Sequence, residues 1–366
     1  MTQFRKTAPR RGAKALALAA AGALALSAAP PARAQEKTEF SIAWSIYVGW
    51  MPWGYMADHG IMDKWAEKYG ISVEIVQIND YIESINQYTA GGFDGVSATN
   101  MDTLSIPAGG GVDTTALIVG DYSNGNDAIL VKGEGASVAD LAGKPVNLVE
   151  LSVSHYLLAR ALEKAELAER DLGAVINTSD ADMVAAWQTS DVEAVVTWNP
   201  LVSTILEMGD ATNVADSSDI PGEIIDLLAV NTEVLEANPA FGKAVVGAWY
   251  ETMALMSDDS PEGAAARAAM GEASGTDQAG YEAQLDSTAM FYTPAEAVAF
   301  VEDPRLAETM TYVAQFLFDK GILGTGAPSP DFVGVVYPSG EVTGDEANVK
   351  FRYSVEYMKM AADGLL

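Results

Sequence analysis

From Thr38 onward short β-rich runs alternate with amphipathic helical stretches, and few architectures satisfy that alternation: mostly parallel sheets covered by helices on both faces. The runs Phe40–Trp44, Val73–Ile78, Gly95–Ala98 and Thr115–Val119 each end at a polar or aromatic loop, and helical stretches at Gly54–Tyr69 and Tyr81–Tyr88 separate the first three. A second series opens at Ala128–Val131 and continues through Val146–Val149, Val175–Asn177 and Ala194–Trp198, with helices at Ser154–Ala165, Ala181–Gln188 and Asn199–Glu207. Ile225–Val230 is a further strand. Beyond it the chain reads as almost wholly helical: Pro239–Met256, Pro261–Ala273, Pro294–Val301 and Arg305–Lys320. Two series and a return predict two α/β lobes, residues 35–122 with 223–366 against residues 123–222. Crossings near Asp121–Asp127 and Asp216–Glu223 would form a two-stranded hinge.

Residues 1–34 read as a secretory signal. Arg5, Lys6, Arg10, Arg11 and Lys14 precede the apolar run Ala15–Ala29, which leads to Ala32-Arg33-Ala34, so cleavage is expected after Ala34. Gly12-Ala13-Lys14 lacks the bulky apolar pair of a twin-arginine signal, which makes the Sec route the simpler expectation. No later segment is long and apolar enough to span a bilayer. The chain has no cysteine, which excludes disulfides, thiolate metal sites, a thiol nucleophile and a lipid-bearing cysteine; export without a tether points to a Gram-negative periplasm. Without the leader 15 basic residues face 51 acidic ones, a net charge of −36. That excludes nucleic acid as a partner and predicts a solvated, self-repelling surface.

In parallel sheets ligands bind beyond the carboxyl ends of the strands, where loops and helix N-termini converge. The loop after the first strand carries Ser45, Tyr47, Trp50 and Trp53. Its rings either sandwich a planar or cationic ligand or pack inward at a helix start. Asp80 after the second strand, with Glu83 three residues on, either caps the helix in a capping box or meets the ligand. Asn100 and Asp102 after the third strand either cap a short helix or face the cleft. Asp121 lies among turn formers at the expected hinge. In the second series Glu150 and Ser152 occupy a strand-to-helix turn where anion receptors usually present bare amides. A glutamate lining the cleft there would ask for a cationic or donor-rich ligand. Trp198 offers a second aromatic wall, and Asn199 either meets a ligand or caps the helix that Pro200 begins.

Only five arginines follow the leader, Arg160, Arg170, Arg267, Arg305 and Arg352, and none lies in these loops. An oxyanion would lack its usual fork-shaped partner, whereas carboxylates flanked by aromatic rings suit a small planar cation or a neutral amide. His59 and His155 share no metal-ligand spacing, and no nucleotide or nucleophile motif is present, so neither catalysis nor a cofactor or metal is expected.

This layout resembles the nitrate/sulfonate/taurine/bicarbonate branch of ABC-importer receptors across nearly the whole chain after the leader. Three segments, Trp44–Gly54, Gln77–Tyr88 and Leu117–Asp127, are similar to the urea-carboxylase-associated receptors of that branch. The resemblance implies a periplasmic-binding-protein fold. It also implies uptake of a small nitrogen compound, urea or guanidine, with an ABC permease and ATPase as partners, and a monomer is expected. Guanidinium, planar and made only of donors, matches the carboxylates and indoles better than urea does. Taurine, sulfonate or nitrate is disfavoured because Leu151-Ser152-Val153-Ser154 replaces the branch's glycine-serine anion turn. Thiamine-pyrimidine synthases share the wider fold but use a cysteine-rich motif that is absent here.

Overall fold

The computed structural model describes residues 37–324 and 326–366; the expected leader lies outside the described residues. The strands are β1 (Glu39–Trp44), β2 (Ser72–Gln77), β3 (Gly95–Thr99), β4 (Thr114–Ser123), β5 (Asp127–Lys132), β6 (Pro145–Leu148) and β7 (Ala174–Asn177). They continue as β8 (Ala194–Trp198), β9 (Ala211–Asp216), β10 (Ile225–Asn231), β11 (Thr288–Met290), β12 (Gly334–Val336), β13 (Val342–Thr343) and β14 (Val349–Tyr353). One sheet runs β13-β12-β14-β4-β10-β3-β1-β2 with β11 beside β4, and a smaller one runs β7-β6-β8-β5-β9. The molecule therefore has the expected two-lobed α/β fold.

The sheets are mixed rather than mostly parallel. β1 pairs parallel with β2 and β3, and β6 with β7 and β8. By contrast β10 runs antiparallel to β3 and β4, and β5 antiparallel to β8 and β9. The reversed strands flank the two crossings, because a chain that leaves one sheet and later re-enters it arrives from the opposite end. Residues 124–126 and 217–224 make these crossings and are stitched together: Gly125 N donates to Ser217 Oγ at 2.7 Å, Ser123 N to Ile224 O at 3.0 Å, and the two serine hydroxyls lie 2.6 Å apart.

The helical stretch expected over Gly54–Tyr69 is two helices, α1 (Met51–Asp58) and α2 (Ile61–Lys68), broken at Gly60. Gly60 has φ of +70°, a left-handed conformation that glycine adopts without a side-chain clash. α3 (Tyr81–Thr89) and α4 (Asn100–Thr103) follow β2 and β3, while α5 (Val153–Lys164), α6 (Asp180–Trp187) and α7 (Leu201–Glu207) follow β6, β7 and β8. After β10 come α8 (Thr232–Ala237) and α9 (Pro239–Met256), the latter packed on α1 and α2. The remaining chain is less helical than its sequence predicts. It also supplies β11–β13, strands of two or three residues too short to show a period-2 pattern, and β14, whose Val349-Lys350-Phe351-Arg352-Tyr353 does alternate.

β5 illustrates how the smaller sheet is buried on both faces. Ile129 and Val131 face the main core, while Ala128 and Leu130 pack with Met183 and Trp187 of α6 and Val202 and Ile205 of α7. No helix among the described residues is long and apolar enough to cross a membrane.

Candidate functional site

The strand-end loops of the two sheets enclose a cavity. Tyr47, Trp50, Tyr81 and Thr99 contribute from the larger lobe, as does Asp226 of β10; Asp127, Val153 and Trp198 line the other side. All eight residues are buried. With the cleft closed the free volume is about 10 Å³, room for about one water.

Four rings form a continuous aromatic wall. Tyr47 meets Trp50 edge-on at 5.0 Å between centroids, Trp50 meets Tyr81 at 5.8 Å, and Tyr81 meets Trp198 edge-on at 5.5 Å. Such faces attract a cation more strongly once water is excluded.

Behind the wall sit carboxyl groups. Asp121 of β4 and Asp226 of β10 are directly opposite each other across the antiparallel ladder, both buried. Tyr47 Oη donates to Asp121 Oδ1 at 2.7 Å, and among the described residues no lysine, arginine, amide or other hydroxyl donates to Asp121 Oδ2 or Asp226 Oδ2. Asp127 accepts from Ser123 Oγ at 2.5 Å. Burial pushes Asp121 and Asp127 each up to about 7; burial, then repulsion from Asp121 and Asp127, holds Asp226 well above the usual carboxylate range. Among the described residues no lysine, arginine or histidine forms an ion pair with any of the three. Gly49 closes the approach: a Cβ there would lie 2.6 Å from Asp121 Oδ2 and 2.5 Å from the Tyr47 ring.

Hydrogen bonds across the cleft hold it shut. Val48 N donates to Asn199 O at 3.2 Å and Trp198 Nε1 to Ile46 O at 3.0 Å. Tyr81 N donates to Asp180 Oδ1 at 3.1 Å, Ser179 Oγ to Asp80 Oδ2 at 2.9 Å, and Val153 N to Asp102 Oδ2 at 3.2 Å. Each joins a strand-end loop or helix start of one lobe to one of the other.

Of the residues singled out by sequence, Tyr47, Trp50 and Trp198 line the cavity and Asp121 backs it. Ser45 is buried beside them with its hydroxyl unpartnered. Trp53 is one layer deeper, 4.7 Å from Trp249 between centroids, so its inward-packing alternative is the one realised. Asp80 caps α3 by accepting from Glu83 N and faces Ser179 at the rim. Asn100 secures the second crossing, donating to Glu223 O and accepting from Ile225 N. Asp102 is buried behind Tyr81 and Thr99. Ser152 caps α5 by accepting from Ser154 N, and Asn199 accepts from Ser203 N at the start of α7.

Glu150 lies elsewhere: its side chain is exposed and does not line the cavity, because the turn after β6 points it outward while its amide is held by Asn177 Oδ1. Asp127, Asp226, Tyr81 and Thr99 were not among the sequence candidates. Asp226 did leave a signal, as a lone charge inside the apolar run Ile225–Val230, where an unpaired carboxylate is rare. Among the described residues no cluster of three or more histidine, aspartate or glutamate side chains is arranged to hold a metal ion.

Solved structures share this architecture. The alkanesulfonate-binding protein SsuA from Xanthomonas axonopodis pv. citri, bound to MOPS, is 20% identical with a TM-score of 0.64; the match covers 80% of this chain and 96% of that one. The periplasmic aliphatic sulphonate binding protein SsuA from Escherichia coli is 22% identical with a TM-score of 0.60, covering 78% and 93%. A Candida albicans protein described as exhibiting the generic periplasmic binding protein structural fold is 10% identical, TM-score 0.58, covering 78% and 95%. No curated protein sequence matches significantly. A family model spans residues 43–270, from the end of β1 through α9, and includes both crossings and every residue lining the cavity: the chain belongs to the NMT1-like family.

Proposed function

We propose that this chain is an exported solute receptor of an ABC importer and that its cleft takes a small planar cation, guanidinium. The observation that carries the reading is the set Asp121, Asp127 and Asp226, three buried carboxyl groups without a cationic partner among the described residues, beside an aromatic-walled cavity of about 10 Å³. Buried charge is tolerated when it is paired and hydrogen-bonded, and guanidinium brings both a charge and up to six N–H donors in one plane. Urea offers the shape and fewer donors, without the charge.

On this reading residues 35–122 with 223–366 close on residues 123–222 about the stitched crossings, and the closed form is what a permease and its ATPase recognise at the membrane. The receptor works as a monomer in the periplasm. Only differential affinity for the closed form drives closure, and pairing the carboxylates supplies it.

A sulfonate ligand is the second reading, favoured by the fold shared with the two SsuA proteins. Calorimetric titration of the processed protein with guanidinium, urea and taurine separates them. Saturable guanidinium binding with much weaker urea and no taurine binding is expected. Tight taurine binding would overturn the cation reading, and equal guanidinium and urea affinities would remove charge as its basis.

A further inference from the structure

The amino end of α5 is the place in the smaller lobe best suited to an anion, since a twelve-residue helix presents its first amides there with the positive end of its dipole. Three of those amides are already used. Ser152 Oγ accepts from Ser154 N at 3.2 Å, and Tyr156 N donates to Ser152 O at 3.0 Å. The N–H of Val153, the first helical residue, crosses the cleft to Asp102 Oδ2 at 3.2 Å. The same oxygen accepts from Tyr81 Oη at 2.8 Å and Thr99 Oγ1 at 3.0 Å. Three donors from both lobes thus converge on one buried carboxylate oxygen, and Asp102 makes no ion pair among the described residues. In the same helical turn the Ser154 hydroxyl is fully buried and has no partner among the described residues.

We propose that Asp102 determines specificity against oxyanions: its carboxylate fills the amino end of α5, the position a small anionic ligand would otherwise take. The larger lobe carries its own anion into the smaller lobe's anion site whenever the cleft closes, so closure and anion exclusion are one contact. The inference rests on reading the cleft as a ligand site and does not depend on which cation occupies it.

Removing the carboxylate leaves a hole of its own size, and formate is the probe that fits it. Thermal unfolding of Asp102→Ala is expected to shift upward by a few degrees with saturating formate, as a ligand specific to the folded state requires. The native chain and Asp102→Ala/Val153→Pro should not respond. Proline is tolerated at the first helical position, so Val153→Pro deletes the amide donor and keeps the helix. Asp102→Ser, which retains a hydroxyl for Tyr81 and Thr99, carries the same test if the alanine variant does not fold. A folded single variant indifferent to formate, or an equal shift in the native chain or the double variant, overturns the proposal. Guanidinium titration of the native chain is read separately, so failure of the cation reading is distinguishable from failure of this one.

Discussion

Two acidic places in this protein are built from the same parts, and only one contains a guanidinium. At the first, Arg160 of α5 donates through Nε and Nη2 to the two oxygens of Glu223, each at 2.9 Å, while Tyr156 Oη donates to Glu223 at 2.5 Å. Arg160 Cζ lies 5.0 Å from the Tyr312 ring centroid and 5.4 Å from that of Phe316. At the second, the cavity, carboxyl groups and aromatic rings recur with a tyrosine hydroxyl again bonded to a carboxylate, and none of the described residues supplies a cation. The first place shows how this chain satisfies a planar cation when the cation is its own. On the proposed function, the second offers a comparable environment to one from outside.

The two should respond oppositely to loss of a carboxylate. Asp226→Asn is expected to weaken guanidinium about thirtyfold or more in calorimetry, since truncating one side of a buried charge pair costs about 2–5 kcal/mol. It should leave the ligand-free protein as stable or more stable, because it relieves repulsion between Asp226 and Asp121. Glu223→Gln should instead destabilise the fold by about 2 kcal/mol in denaturant unfolding, for it leaves a largely buried Arg160 with only the more exposed Glu163 as its ionic partner. If both variants behave alike, the comparison fails.

A smaller effect tests the shape of the second place. Gly49→Ala puts a methyl group where Asp121 and the Tyr47 ring now lie, and it should lower guanidinium affinity about tenfold through displacement costing about 1–3 kcal/mol. The titration of the carboxyl groups gives an effect of similar size. With Asp121 at about 7, a cation arriving at pH 6 must displace a proton that is absent at pH 8, so affinity should rise about tenfold across that interval with proton release. The same groups act on stability in the opposite sense. Their folded values lie above the ordinary 3.8, so the folded state binds more protons than the unfolded one. The ligand-free protein should therefore lose stability as pH rises from about 4 to 7, and saturating guanidinium should flatten that loss. The smallest expected effect is at Glu150: being exposed and away from the cavity, Glu150→Gln should leave affinity within about twofold.

The fold was largely legible because long alternating runs set both lobes, and strands such as β8 and helices such as α9 fall where their patterns end. What escaped was short or governed by tertiary context: β11–β13 carry too few residues for a periodicity, β9 is a half-exposed edge strand without a clear apolar face, and strand direction follows from chain exchange between sheets. β14 was legible in its alternation of Val349, Phe351 and Tyr353 with Lys350 and Arg352 and was missed. The site was half legible. Aromatic residues crowding one loop are visible in a linear sequence, and Asp121 stood out among turn residues. Asp226 pairs with Asp121 only across a strand ladder joining residues more than a hundred apart, which no local pattern reveals. Glu150 shows the converse error, since proximity to a helix start does not fix which way a side chain points.

The cavity's walls also have a kinetic meaning. Its lining residues are buried, and bonds such as Val48 to Asn199 and Trp198 to Ile46 run directly across the entrance. With its lining buried and these bonds across its mouth, a molecule held there leaves when they break, so its departure waits on the gate swinging open. Chasing a preloaded radiolabelled solute with increasing excess of unlabelled solute should accordingly give one first-order washout, with a half-time that belongs to the hinge and does not shorten however much chaser is added.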